Sequence, residues 1–320
     1  MTVLSTQWSR SLGLEAPIAN APMGGVAGGA LAAAVSRAGG LGMVGMGSAA
    51  FPEQLEAQLR HLSGLDRPFG IGLVDWVVSR EPRLLDVALA ARPALLAVSF
   101  GDNSTWVRRA HDSGVLAAAQ VADLRSAHQA VAAGVDVVVA RGAEGGGHGE
   151  PKVGTLPLLA EVLDELPVPV LAAGGISSGR ALAAVLAAGA SGAWIGTAFT
   201  ACTEGLASEP TRRALLDARD TDTVTTRAFD VAQGYAWPEE LPERVLRNDF
   251  GDRWTGLEEA LAAADDARAE LAAAIRADDL RLAPVNAGQG VGRLRSVRSA
   301  ADVIAEMCAE ARQLLDAWTG

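Results

Sequence analysis

One pattern constrains this chain more than any other. Short apolar runs alternate with Ala-rich helical stretches, without a second class of element, over its first two thirds. The runs fall at 17–21, 41–45, 69–73, 95–98, 115–120, 135–140, 168–172 and 192–195 and are apolar almost throughout, as strands buried on both faces must be. Helical patterns lie between them at 28–38, 52–62, 82–91, 104–113, 123–133, 156–166 and 178–188. Several close on Gly39, Gly114, Gly134 or Gly189, where a left-handed residue most easily ends a helix. Strict alternation of this kind predicts a (β/α)8 barrel, a TIM barrel, ahead of an open doubly wound sheet, which the pattern alone also allows.

After Gly196 the alternation stops. Residues 210–285 carry most of the Trp-Pro, Arg and Asp clusters and predict a smaller, mostly helical inserted subdomain, with one helix over 256–277 and a short extended piece over 224–230. An amphipathic helix over 297–318 is expected to return as the eighth of the barrel. The expected division is a barrel domain of 1–209 completed by 286–320, with 210–285 on the substrate side. A length of 320 residues accommodates this, since domains average ~150 residues and barrels run longer.

Hydrophobic residues are 49% of the chain and aromatic residues only 4%, with 36 glycines. The core must therefore come from small side chains and closely approaching backbones. A formal charge of −11 with no basic block argues against binding nucleic acid or an anionic membrane surface. Apolar runs are too short and broken to span a bilayer, and residues 1–10 do not read as a signal peptide. Cys202 and Cys308, far apart, suggest neither a disulfide framework nor a metal spacing. These features describe a soluble, cytoplasmic enzyme.

Glycine-rich segments follow strands one, six, seven and eight, at the C-terminal face where barrel enzymes place their chemistry. They are Ala21-Pro22-Met23-Gly24-Gly25, Arg141 through Glu150, Ala172-Ala173-Gly174-Gly175-Ile176, and Gly196-Thr197. Any one such loop is explained by a sharp turn. The pair after strands seven and eight stands where barrels commonly bind phosphate through backbone N–H groups. Neither a GxGxxG fingerprint nor a GxxxxGK[ST] loop is present.

His148 stands among glycines, whereas His61, His111 and His128 sit in partly polar helical contexts. An imidazole, with an unperturbed pKa of about 6.5, can exchange a proton near neutrality; a solvated loop histidine is the plainer alternative. Glu144 and Glu150 flank it as candidates to orient the ring. No second His or Cys lies at a ligand spacing, so no metal is expected. Cys202 reads as core, and Lys is too scarce for Schiff-base chemistry in a strand. A phosphate site with one base and no nucleophile implies an organic cofactor. Trp76, Trp106, Trp237 and Trp254 are candidates to line a substrate pocket, with core packing as the alternative.

The ordered set Pro17-Ile18, Ala21-Pro22-Met23-Gly24-Gly25, Gly142, Glu144, Gly146-Gly147-His148, 169–176 and Gly196-Thr197 resembles the nitronate monooxygenase family, formerly called 2-nitropropane dioxygenases. The likeness continues through Trp237-Pro238, 244–248 and Gly288-Gln289-Gly290. It implies an FMN-dependent barrel oxidising alkyl nitronates, or nitroalkanes, with O2 to a carbonyl compound and nitrite. It further implies that the backbone of Ala21, Pro22 and Met23 lies along the isoalloxazine and that Gln120 meets the flavin's polar edge. Gly174, Gly175, Gly196 and Thr197 correspond to the phosphate loops, Gly146 lies on the glycine loop beside the flavin, and His148 matches the catalytic histidine. Arg141 stands where the family has Gln or Asp, and Gly72 where Asn is common. Arg141 either adds positive charge near the flavin or anionic substrate, or turns outward. The alternative function is an FMN-dependent, NAD(P)H-oxidising reductase similar to barrel-type enoyl or quinone reductases, which share the Gly-Gly-His loop. A flavin-storing protein without turnover is a third class. A homodimer is compatible with the resemblance.

Overall fold

The computed structural model describes residues 4–319. Eight parallel strands, β1 Ile18–Asn20, β2 Gly42–Gly45, β3 Phe69–Val74, β4 Leu95–Ser99, β5 Leu116–Val121, β6 Val137–Arg141, β7 Val170–Ala173 and β8 Gly192–Ile195, pair in the order β1-β8-β7-β6-β5-β4-β3-β2. All eight predicted strands exist, displaced by no more than two residues at either end. Helices α1 Gly29–Arg37, α2 Pro52–Leu59, α3 Arg83–Ala90, α4 Thr105–Asp112, α5 Leu124–Ala132, α6 Thr155–Glu165 and α7 Gly179–Ala187 follow the first seven strands and pack outside the sheet. Helix α8, Ala300–Thr319, returns to pack between α7 and α1 as the eighth. Its close crossing with α7 requires Gly179, where a Cβ would lie 2.5 Å from the Met307 carbonyl oxygen.

Alternation along the strands divides the core in two. Ile18, Val44, Leu96, Val138 and Ala172 face the helices, whereas Ala19, Leu41, Met43, Leu95, Val139, Leu171 and Trp194 fill the barrel. Trp8, buried on the short helix Gln7–Ser11, caps this inner cluster from below. Its ring occupies the space a Cβ on Gly192 would need.

The seam between β1 and β2 is the weakest part of the sheet, with one backbone bridge, Ala19 to Leu41. A side chain completes it. Fully buried Asn20 donates from Nδ2 to the Met43 carbonyl at 2.9 Å and accepts the Met43 N–H on Oδ1 at 2.8 Å. The amide thus substitutes for a missing strand neighbour.

The insertion between β8 and α8 departs from expectation in three ways. The predicted helix over 256–277 is two, Glu258–Ala262 and Asp265–Ala277. Ala264 leaves helical geometry, and Asp265 and Asp266 start the second helix favourably for its dipole. Each helix turns a fully buried leucine, Leu261 or Leu271, toward Phe229 and Phe250. The extended piece stops early, at strand Thr223–Thr226, and Ala228–Gln233 is helical, with the Thr226 hydroxyl accepting the Ala228 N–H. A strand that sequence reading missed, Glu243–Leu246, pairs antiparallel with Thr223–Thr226 on one side and with Gly147–His148 on the other. The insertion is helical with a small sheet, and that sheet holds the loop after β6.

Replacing Asn20 by Ala leaves two buried backbone groups of Met43 without partners, at ~1–3 kcal/mol each. Asn20→Ala is expected to lower the unfolding free energy by about 3 kcal/mol. Urea denaturation measures this, and an unchanged midpoint would contradict the role assigned to the amide.

Candidate active site

The C-terminal ends of the strands open into a cavity of about 810 Å³, within the ~300–1,000 Å³ range of ligand sites. The structure brings together around it the proposed catalytic and cofactor residues Ala21, Pro22, Met23, Gln120, Arg141, Gly146, His148, Gly174, Gly175, Gly196 and Thr197. How they come together follows from bare backbones at the rim.

Residues 21–23 leave β1 and cross over the ends of β2 and β3. A Cβ on Gly45 would lie 2.2 Å from the Pro22 carbonyl carbon, and one on Gly72 would meet the Pro22 ring at 2.2–2.3 Å. A further backbone contact joins Gly24 to Gly47. Bare Gly72 is thus what lets the Pro22 ring sit over the end of β3. Across the cavity, loop seven turns through Gly174 (φ +112°) and Gly175 (φ +69°), a conformation that favours glycine. It leads through Ser178, whose hydroxyl caps α7. Gly196 faces Met23 and Ala21, so loops eight and one share a wall. Thr197 Oγ1 accepts the Gly288 N–H at 2.9 Å, tying the insertion's return to that wall.

Loop six is built by its polar side chains. Glu144 does not orient His148. Its carboxylate accepts the Thr155 N–H at the start of α6, at 2.9 Å. Thr155 Oγ1 lies 2.9 Å from Glu144 Oε2 and 3.0 Å from the Gly174 carbonyl, so loops six and seven are locked together. Glu150 pairs with Lys152, which also reaches Asp123. Arg141 lines the cavity and does not turn outward. It is buried, and Nη2 donates to the carbonyls of Gly145 (2.6 Å) and Gly147 (3.0 Å). Burial, and then neighbouring Arg244, lower its pKa to about 10 while Glu144 opposes them. Gly145 and Gly149 are bare because Cβ atoms there would strike the Arg141 side chain.

His148 is not a solvated loop residue. Its side chain is 13% exposed, enclosed by the insertion rather than by its glycine neighbours. Nε2 lies 2.9 Å from Asp230 Oδ2. The indole of Trp237 stacks on the ring at 3.5 Å between centroids and 6° between planes. With Nε2 engaged by the carboxylate, Nδ1 is the ring nitrogen left to meet a ligand. Trp237 is itself held by its Nε1–H donating to Ser48 Oγ at 2.8 Å, and by edge contacts with Trp76 and Phe100. Of the four tryptophans proposed as lining, Trp237 borders the cavity. Trp76 packs behind it, Trp106 is buried in the outer core, and Trp254 packs in the insertion. Trp194, which sequence reading omitted, lies beneath the cavity.

Glu243, cross-strand from His148, completes the cluster. One potential ligand atom each from His148, Asp230 and Glu243 lies within 4.8 Å of the others, a set able to hold a metal ion and assembled from distant segments that sequence spacing could not connect. Burial first, and the nearby Asp230 second, push the Glu243 carboxyl well above the usual range, against a hydrogen bond from Asn286. Cys202 is core, as expected: burial raises its thiol to about 12.

A family model described as nitronate monooxygenase matches residues 6–81 and 76–310. The chain belongs to the nitronate monooxygenase family. It is 34% identical over 266 residues to the nitronate monooxygenase of Paraburkholderia phytofirmans, covering 68% of this chain and 72% of that protein. Among solved structures it is similar to FabK from Thermotoga maritima, with TM-score 0.87, 29% identity and 99% of both chains covered. It is also similar to a nitroalkane oxidase from Streptomyces ansochromogenes, with TM-score 0.81, 31% identity, and 96% and 99% covered. As a nitronate monooxygenase family member, the chain is an oxidoreductase with a TIM-barrel scaffold.

The raised carboxyl of Glu243 has a consequence for stability. Above the unfolded carboxyl's pKa of ~4.3 the unfolded state releases this proton and the folded state keeps it, so stability falls as pH rises until the folded group ionises. Glu243→Gln is expected to remove that decline, making the variant's stability relative to the parent greater at pH 8 than at pH 5. Urea denaturation at the two pH values measures it, and an equal difference at both would contradict the assignment.

Proposed function

We propose that the cavity holds FMN and that the chain oxidises alkyl nitronates, and neutral nitroalkanes, with O2 to a carbonyl compound and nitrite. The observation that carries this reading is the His148–Asp230 pair, roofed by Trp237 and facing a glycine-walled cavity in a chain of this family.

The residues present fit the cofactor. Loops seven and eight, Gly174-Gly175 and Gly196-Thr197, would hold the phosphate through uncharged backbone donors near the start of α7, where an anion is favoured. Ala21, Pro22 and Met23, laid flat across the rim, would support the isoalloxazine, with Gln120 at its polar edge and Gly146 allowing close approach beside it. Arg141 acts on the flavin indirectly, by fixing the carbonyls of the glycine loop. When bound, FMN supplies the electron transfer between substrate and O2.

The chain's own groups handle the proton. Asp230 holds His148 in one tautomer and stabilises the imidazolium once it forms. With a neutral nitroalkane, His148 Nδ1 takes the proton from the carbon bearing the nitro group. With a nitronate already formed, no proton need be taken, and the ring binds and steers the anion in its protonated form, donating from Nδ1. Trp237 keeps water from one face of the ring. Residues 210–285 act as the substrate-side unit, because they provide Asp230, Trp237 and Glu243.

Anaerobic mixing of the purified protein, loaded with FMN, tests the reading. Reduction of the flavin by propionate 3-nitronate is expected. Bleaching by NADH or NADPH with no response to the nitronate would replace it with the reductase reading. His148→Asn is expected to keep FMN and lose about 10²–10⁴-fold of the turnover of a neutral nitroalkane, the usual contribution of a positioned base. Turnover of the nitronate should fall far less. Equal loss on both substrates would show that the histidine is not the base.

A further inference from the structure

The cavity extends well beyond the neighbourhood of His148. From Met23 and the Ser48 that anchors Trp237, it continues as an arm between the loops after β1 and β2, helix α2 and the segment after Thr200. Ala50, Gln54, Ala57 and Gln58 form one side of the arm, and Leu206 and Ala207 the other. Its two sides are joined where the Leu206 N–H donates to the Val26 carbonyl at 3.0 Å. On the other flank, Gln58 Oε1 accepts the Gly29 N–H at 2.9 Å. Bare Gly28 lets Gln58 and Leu206 close over this end of the arm, since a Cβ there would lie 2.6 Å from Gln58 Oε1 and 2.9 Å from Leu206 Cδ1. Where the arm reaches the surface, Leu206 is a large apolar side chain left 52% exposed.

Charge divides the cavity. Among the described residues lining it, the charged side chains are Arg141, Asp230, Glu243 and Asp278, on loop six and the insertion. None lines the arm. The walls there are methyl groups, an isobutyl side chain, amides and, farther out, the hydroxyls of Ser208 and Thr211. Such a channel offers no charge to pair with a phosphate or carboxylate, and its alanine and leucine walls favour a hydrocarbon, whose transfer from water is favourable in proportion to the area covered. Backbone hydrogen bonds fix its walls, so its width is set before a ligand arrives.

We propose that this arm takes the unbranched aliphatic tail of the substrate, so that the preferred substrates are medium-chain primary nitronates rather than the smallest ones. The inference rests on the nitronate reading of the site and adds chain-length selectivity to it. The head group lies at His148 and Trp237. The tail runs past Ser48 and Ala50 along Ala57 and ends beside Leu206.

A homologous series of 1-nitroalkane nitronates, from three to ten carbons, tests this with the FMN-loaded enzyme. Burial of a methylene is worth ~0.8 kcal/mol, so kcat/KM is expected to rise about fourfold per added carbon until the arm is filled. A flat or falling series with measurable turnover of the short members would overturn the proposal. Calorimetric titration with the unreactive alkyl carboxylates from propanoate to decanoate gives a second readout that does not need turnover. Affinity should climb with chain length there too, and no gain would overturn the proposal even if no nitronate reacts. Absence of turnover at every length, with rising carboxylate affinity, would overturn the nitronate reading and keep the arm. Ala57→Phe places a ring in the channel and is expected to bring the long-to-short ratio of kcat/KM down at least tenfold. Leu206→Ser, a solvent-tolerant change at the mouth, should lower the same ratio in the same direction. An unchanged ratio in both variants would show that the tail lies elsewhere.

Discussion

The site depends on backbone meeting backbone at the barrel rim. Residues 21–23 can cross the ends of β2 and β3 only because Gly45 and Gly72 leave room for Pro22, and Gly24 lies against Gly47 in the same way. Without that crossing, loop one would rise away from the strands and would not share a wall with Gly196. A core short of aromatics and rich in glycine is the compositional trace of this arrangement. Small residues do not merely fill the interior; they bring the chain close enough to make a flat-walled cavity.

The second requirement is the insertion. The barrel presents His148 on a glycine loop, but the loop's own residues leave the ring unoriented. Order comes from strand Glu243–Leu246, which pairs with Gly147–His148, and from Asp230 and Trp237, which fix the ring's edge and face. The barrel supplies position and the insertion supplies enclosure. Arg141 and Glu144 contribute at one remove, the first gathering the carbonyls of the glycine loop and the second capping α6.

What was legible in the sequence is what depends on local pattern. Every barrel strand announces itself as an apolar run, and the glycine loops stand directly after β1, β6, β7 and β8, so the cavity-lining residues followed from strand ends. The partners of His148 were hidden because their relation to it is tertiary. Asp230 is 82 residues away in sequence and sits on a short helix that reads as extended from Val224 onward. Glu243 lies in a four-residue strand, ERVL, with too little alternation to declare itself. The contacts of Arg141 were hidden for a related reason: nothing local in the sequence shows that three carbonyls of its own loop surround it.

The global charge of −11 is a poor guide to what the cavity accepts. Loops seven and eight carry no acidic side chain of their own, and the Glu144 carboxylate beside loop seven is engaged by Thr155. Titration of the flavin-free protein with FMN, and separately with riboflavin, followed by flavin fluorescence, measures what these loops contribute. One FMN per chain is expected, bound at least a hundredfold more tightly than riboflavin, with the difference abolished by Gly175→Asp. Equal affinity for the two flavins would contradict it.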